Sequence, residues 1–461
     1  MDTHTQKLPH ETREAVANCH SLVSDEWTEM SRRIPVDVEA LAQETKALQR
    51  KRKVRSATDL LRMVLAYRVC DWSLRLVGIW ATVIGLAALS DIAVRKRLLN
   101  AQKWLGSIIG SWLQQRRLGL EKRAVVLRLI DASHVSQPGS RGIDWRLHVN
   151  FDLGSFSIAD VEVTDVKGGE TLLRHKAREG EILVADRGYA HRRGVGQTLA
   201  ASAYLVVRSN GHNLPLETYD GQRFDLLGWL QAETSLSRPG EKLVWVTTPE
   251  GHFALRLLAQ PLPREAAEEA RRRVRQRSKK KGHTPNKLSL VAAGYVLLLT
   301  NLPAPEWTGE QVLALYRLRW QVELLFKRLK SILNLADLRT KNPVLAQVYL
   351  LGKLVAALML EDWCQDPSLQ LADWFEDVVR PISPWRWTCL WADLLRQAIR
   401  GPMTLARVLN ALPQLGRYLR QSPRKRRQQA AHARKWLNAQ VMAVETFDTA
   451  KHHEPASVYS S

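Results

Sequence analysis

Cysteine is scarce: Cys19, Cys70, Cys364 and Cys389 are the only four in 461 residues, and none of them has metal-like spacing to another. That excludes a disulfide-stapled scaffold and fits free thiols in a reducing cytoplasm. The first twenty residues lack the apolar stretch of a secretory signal, and neither end carries a lipidation motif. The uncharged run Leu76–Ser90, bounded by Arg75 and Asp91, is too short for a membrane span and suits a buried helix. No membrane partner is expected. Acidic charge is also in deficit, with 46 Asp and Glu against 68 Lys and Arg, a net +22. Such an excess points to a polyanionic partner. The chain is 45% hydrophobic, enough for sizeable cores, and its length predicts two or three domains. Most of its sixteen tryptophans are expected to fill cores.

One stretch organises the rest: Thr308–Asn334, TGEQVLALYRLRWQVELLFKRLKSILN. Thr308 followed by Gln311 reads as a capping box, and nothing breaks a helix before about Asn334. The predicted helix is on the order of 40 Å long. Stepping round it by ~100° per residue puts Leu318, Val322, Leu325, Leu329 and Ile332 on one side. Tyr316, Arg319, Trp320, Glu323, Lys327 and Lys330 fall on the other. A single carboxylate among cations and aromatics is an arrangement that holds phosphates and stacks on bases. A solvated face with ion pairs between turns is the plainer alternative.

Residues 1–120 read as a helical, DNA-binding domain. Helices are predicted from Ser56 and over Leu76–Leu89, and another after Ser90 carrying Arg95, Lys96 and Arg97. The last two fit a helix-turn-helix reader of DNA, or equally an ordinary helical hairpin. The run Arg50–Lys53 is a phosphate-contact candidate or a solvated linker. From about 121 the pattern turns to strands. Ala124–Ile130 leads into Asp131, and Trp145–Leu153 and Ser157–Val166 follow. After a short helix at Glu170–Arg178, a doubly buried strand near Glu181–Ala185 ends at Asp186-Arg187-Gly188-Tyr189. A helix near Val195–Ala201 and a strand at Ala203–Val207 complete an order that matches the ribonuclease-H-like fold. In that fold the first and fourth strands are neighbours, so Asp131 and Asp186 are expected side by side.

Residues 208–301 interrupt the unit as a strand-rich insertion, with strands expected at Lys242–Thr248, His252–Ala259 and Leu290–Thr300. Its middle holds eight cations in the eleven positions 271–281, beginning with Arg271, Arg272 and Arg273. A DNA-contact surface and a solvated helix both fit this run. Residues 336–461 read as a helical C-terminal region, expected to dimerise, with helices at Ala346–Asp362, Leu371–Val379, Trp385–Ala398 and Thr404–Leu412. A basic segment at Arg424–Arg427, a further helix and a disordered tail from Asp448 close the chain.

The frame Tyr316, Arg319, Glu323, Lys330 resembles the Tyr-Arg-Glu-Lys signature of the insertion-sequence-four family of bacterial DDE transposases. Asp186-Arg187-Gly188-Tyr189 resembles that family's second-aspartate motif, and the strand-rich insertion is similar as well. The resemblance implies an α/β protein with a ribonuclease-H-like core over 121–335, flanked by helical domains. It implies Asp131, Asp186 and Glu323 as catalytic metal ligands for two Mg²⁺ ions, which Mn²⁺ can replace. Tyr316, Arg319, Lys327 and Lys330 would handle the DNA end, and Trp320 would stack on a flipped base. The activity implied is cut-and-paste transposition on double-stranded DNA by a homodimer: terminal-repeat binding, nicking, hairpin formation and strand transfer. A bacterial, nucleoid-associated location follows. A ribonuclease-H-like nuclease without strand transfer and a non-catalytic basic DNA-binding protein are the alternatives. His134, close to Asp131, is not needed in a hard-oxygen site. Whether Trp245 or Trp307 touches DNA stays open.

Overall fold

The computed structural model describes residues 26–49, 51–120, 126–140, 142–209, 213–232, 239–336, 338–365, 383–419 and 435. The sequence-predicted helix at Leu371–Val379, the basic segment Arg424–Arg427 and the tail from Asp448 lie outside them. Among the described residues six helices come first: α1 (Glu26–Arg32), α2 (Val38–Glu44), α3 (Ala57–Arg68), α4 (Leu74–Val83), α5 (Asp91–Asn100) and α6 (Gln102–Leu120). The serines foreseen as starts do cap: Ser56 accepts from the Asp59 amide and Ser90 from that of Ala93. The Leu76–Leu89 run is helical only to Val83, because the chain reverses at Gly85 with φ 77°. The returning strand of chain passes so close to α4 that a Cβ on Gly78 would stand 2.6 Å from the Leu89 carbonyl oxygen.

The sheet is built from β1 (Leu127–Val135), β2 (Trp145–Asp152), β3 (Ser157–Asp165), β4 (Ile182–Ala185), β5 (Tyr204–Arg208), β6 (Gly240–Thr248), β7 (Gly251–Pro261) and β8 (Tyr295–Thr300). Its order is β3-β2-β1-β4-β5-β8-β7-β6, a mixed eight-stranded sheet. β1 runs antiparallel to β2 and parallel to β4, and β4 runs parallel to β5. The insertion's strands extend this sheet, with β8 pairing on β5 and β7 on β8. Two expectations for the segments between strands need correction. Leu290 lies in a short helix (Lys287–Ala292) capped by Asn286, so β8 starts only at Tyr295. The helix expected at Glu170–Arg178 is a single tight turn, Leu172–Arg174.

Alternation along the strands divides the interior. Leu129, Leu147, Val149, Val184, Val206 and Leu298 face one apolar cluster, shared with the N-terminal helices. Ile130, Leu183, Ala185, Leu205 and Val207 face the other. The remaining helices among the described residues are α7 (Arg192–Ala200), α8 (Leu226–Ala232), α9 (Arg264–Lys280), α10 (Lys287–Ala292), α11 (Gly309–Arg317), α12 (Trp320–Ile332), α13 (Pro343–Cys364), α14 (Pro384–Arg400) and α15 (Leu405–Leu419). By length and composition α13 passes for a membrane span, but most of it is buried in the first cluster, as befits a core helix.

The helix expected over Thr308–Asn334 is two helices. The Thr308–Gln311 capping box is present. At Leu318 and Arg319 the amides bond three residues back, to Leu315 and Tyr316, and the ladder tightens for a turn before α12 begins. Leu318 is thereby turned outward, whereas Val322, Leu325, Leu329 and Ile332 are buried as the spacing predicted.

Candidate active site

Asp131 was expected beyond the tip of its strand, yet it lies inside β1. β4 stops pairing at Ile130↔Ala185, while β1 stays on β2 as far as Val135. The notch where β4 ends brings Asp186, the residue after Ala185, to the level of Asp131. Asp186 accepts from the Arg187 amide at 2.6 Å and so caps the turn Arg187–Tyr189. From the helical side α12 packs across β1 and presents Glu323. The Arg319 guanidinium joins the two elements, donating to Asp131 Oδ2 at 3.3 Å and to Glu323 Oε1 at 2.5 Å.

The three carboxylates share one electrostatic field. Burial pushes the Asp131 carboxyl up to about 6; the Ala132 amide and Arg319 pull it down, while Asp186 and Glu323 raise it further. Below them lies Tyr189, fully buried, its hydroxyl without a hydrogen-bond partner. Its phenol is pushed far up by burial and by the nearby Asp131, Glu170 and Asp186 carboxylates. A fourth carboxylate, Glu170, reaches so close that a Cβ on Gly188 would stand 2.2 Å from its Oε2. It lies 3.8 Å from His134 Nε2. Sequence reading marked neither Glu170 nor Tyr189 as a site residue. The one available signal was that Tyr189 closes the Asp186 motif.

All the converging acids are oxygen donors, and Arg319 is the cation between two of them, so the donor chemistry fits a hard divalent ion. Among the described residues, no three acidic, His or Cys side chains stand gathered closely enough to hold an ion as they are.

The other expected residues fall in three places. Trp320, Glu323, Lys327 and Lys330 share one face of α12, Trp320 being 59% exposed and both lysines exposed. Tyr316 is half-buried, with Arg319 5.6 Å from its ring centre. A groove of about 1120 Å³ opens beside them, lined by Arg264, Arg271, Tyr316, Arg317, Arg319 and Trp320. On α9, Arg271 is half-buried against the Leu290 carbonyl, while Arg272 and Arg273 both pair with Glu269 at 2.6 and 2.8 Å. Those two bonds pull Glu269 down to about 2. Arg95, exposed, and Arg97, half-buried, ride on α5. Lys96 and Arg97 line a second hollow of about 760 Å³ with Lys46 and Arg52, so two basic runs separate in sequence meet there.

Asp131 carries a pH-dependent cost. Its folded pKa lies above the ordinary carboxylate value, so its contribution favours the fold below about 4 and is lost as pH rises through about 6. Asp131→Asn should therefore stabilise EDTA-treated protein at pH 8 by on the order of 2 kcal/mol, with the gain fading toward pH 4. Urea unfolding at the two pH values measures it, and an equal effect at both would contradict the assignment.

Similarity to known proteins follows the same residues. A family described as "Transposase DDE domain" matches residues 126–360, which include all three carboxylates. A putative transposase InsL of insertion sequence element IS186A from Escherichia coli K12 is 38% identical over 357 residues, 75% of this chain and 95% of that protein. The transposase of IS421 from Escherichia coli is 38% identical over 358 residues, with the same coverage. The transposase of IS231F from Bacillus thuringiensis subsp. israelensis is 24% identical over 372 residues, 70% of this chain and 76% of that one.

Proposed function

The chain belongs to the DDE transposases, and on that premise we propose that it is the cut-and-paste enzyme of an insertion sequence of the Tyr-Arg-Glu-Lys group. It binds terminal inverted repeats, nicks them, closes hairpins and transfers the freed ends, working as a homodimer on double-stranded DNA. DDE domains work with divalent metal ions; here Asp131, Asp186 and Glu323 would hold two Mg²⁺, or Mn²⁺ in their place. Those ions would supply Lewis-acid stabilisation of the charge that builds on the attacking and leaving oxygens. The observation that carries the reading is the notch at the end of β4, which sets Asp186 beside Asp131 with Glu323 facing them from α12.

The chain's own groups account for the rest. Lys327 and Lys330, exposed on the Glu323 face, take phosphates near the cut, and Trp320 offers a stacking plane at the groove. The ribonuclease-H-like core is assigned to residues 121–335, DNA recognition to the helices of 1–120 through Arg95 and Arg97, and dimerisation to 336–461. Incubation of the protein with its own element ends and Mg²⁺ tests the proposal: nicks followed by hairpins on a denaturing gel support it. Nicks without hairpins or joined products would make the protein a nuclease only.

Charge gives a separate expectation. Each phosphate neutralised contributes about −0.9 to the slope of log affinity against log salt. Arg272 and Arg273 are tied to Glu269, whereas Arg275, Arg277 and Lys279 are exposed on the same helix with no ion pair among the described residues. Replacing Arg275, Arg277 and Lys279 with alanine should flatten the slope by about 0.9 for each phosphate no longer neutralised, and weaken binding to all sequences alike. An unchanged slope would make the second half of α9 a solvated face.

A further inference from the structure

Arg319 belongs to two places at once. It bridges Asp131 and Glu323 with a side chain only 15% exposed, and it also lines the groove shared with Arg264, Arg271 and Trp320. The turn at Leu318–Arg319 is what allows this. It sets the guanidinium at the junction of α11 and α12, on the wall between the carboxylates and the groove. A divalent ion ligated by Asp131 and Glu323 and a guanidinium bonded to the same carboxylates oppose one another, because they carry like charge and compete for the same oxygens. A phosphodiester in the groove offers Arg319 a bidentate, charge-assisted partner.

We infer that Arg319 is a gate between the two: it neutralises the carboxylates until a DNA end draws it into the groove, so that metal ions load together with DNA. This inference rests on the proposed function and adds a regulation of the same site. Arg319 acts here as a positioning residue, through Asp131 and Glu323. Because such coupling is reciprocal, metal ions must tighten DNA-end binding by the factor by which DNA tightens metal binding.

The test is Mn²⁺ and Ca²⁺ titration of EDTA-treated protein by calorimetry and thermal shift, with and without a duplex carrying the terminal repeat. In the wild-type protein the duplex should lower the metal midpoint by about tenfold, within the usual range of such couplings. Arg319→Gln should bind metal about tenfold more tightly without DNA and gain little more when DNA is added. Arg319→Lys keeps one positive charge on a flexible stem and should stay weak, which separates charge from mere packing. If Arg319→Gln does not fold, Arg319→Ala and Arg319→Lys carry the same comparison. A midpoint unchanged or raised on removing the guanidinium overturns the gate. The proposed function has its own failure: metal binding that survives Asp131→Asn and Glu323→Gln, or that never occurs in the wild-type protein, overturns the site and the gate with it.

Discussion

Replacing Asp131, Asp186 or Glu323 with alanine, one at a time, should cut nicking by at least about 10²–10³-fold, the loss that follows removal of a preorganised electrostatic partner of a transition state. Specific DNA binding should persist, since the cations of α9, α12 and α5 are untouched. The three variants differ in what else they disturb. Asp131→Ala removes a partner of Arg319, and Asp186→Ala removes the cap of the Arg187–Tyr189 turn. Glu323→Ala leaves α12 itself intact, because the buried contacts of that helix are made by Val322, Leu325, Phe326 and Leu329. Asp131→Asn, Asp186→Asn and Glu323→Gln keep the side-chain shape while removing charge, and should be equally inactive. Retention of Mg²⁺-dependent cleavage by any one of these variants would take that residue out of the site. Gel assays of nicking, with filter binding on the same preparations, measure both quantities.

Local chemistry was legible in the sequence wherever a residue's role depends on its neighbours in the chain. The Thr308–Gln311 capping box, the Ser56 and Ser90 caps and the buried face of α12 all emerged as read. What failed was whatever depends on a distant partner. Asp131 looked like the end of its strand because nothing local says that β2 continues alongside it after β4 has left. The break at Leu318 has no proline or glycine to announce it. The i→i+3 turn keeps Leu318 exposed and sends Arg319 to an aspartate 188 residues earlier. Glu170 and Tyr189 reach the carboxylates only through the packing of the 170–190 segment, and no spacing rule contains that. Charge counting likewise singled out Arg271, Arg272 and Arg273, although Glu269 holds the last two.

Arg116→Met should destabilise the protein by about 3–5 kcal/mol at pH 8, the cost of leaving a buried carboxylate without its cation. Arg116 projects from α6 and makes four bonds: to Glu361 Oε2 at 2.8 Å, Asp362 Oδ1 at 2.5 Å, and the carbonyls of Ile158 at 3.0 Å and Leu358 at 3.3 Å. Glu361 in turn accepts from the Ile158 amide at 3.1 Å. One guanidinium therefore ties an N-terminal helix, the core helix α13 and strand β3 into the body that carries β1 and its aspartate. Methionine fills the space but leaves Glu361 facing apolar neighbours. Burial already pushes the Glu361 carboxyl above the usual carboxylate range, and Arg116 is the chief influence holding it down. Without Arg116 its folded pKa rises further, so the penalty is full at pH 8 and shrinks as acidification protonates it. Asp362 is 37% exposed and keeps solvent, so it adds little. Urea unfolding at pH 8 and pH 5 reads the difference. The double variant Arg116→Met, Glu361→Gln should recover much of the loss, because no uncompensated charge remains. A loss that is equal at the two pH values, or that the second substitution leaves unchanged, would mean that Arg116 acts through packing and its carbonyl bonds alone.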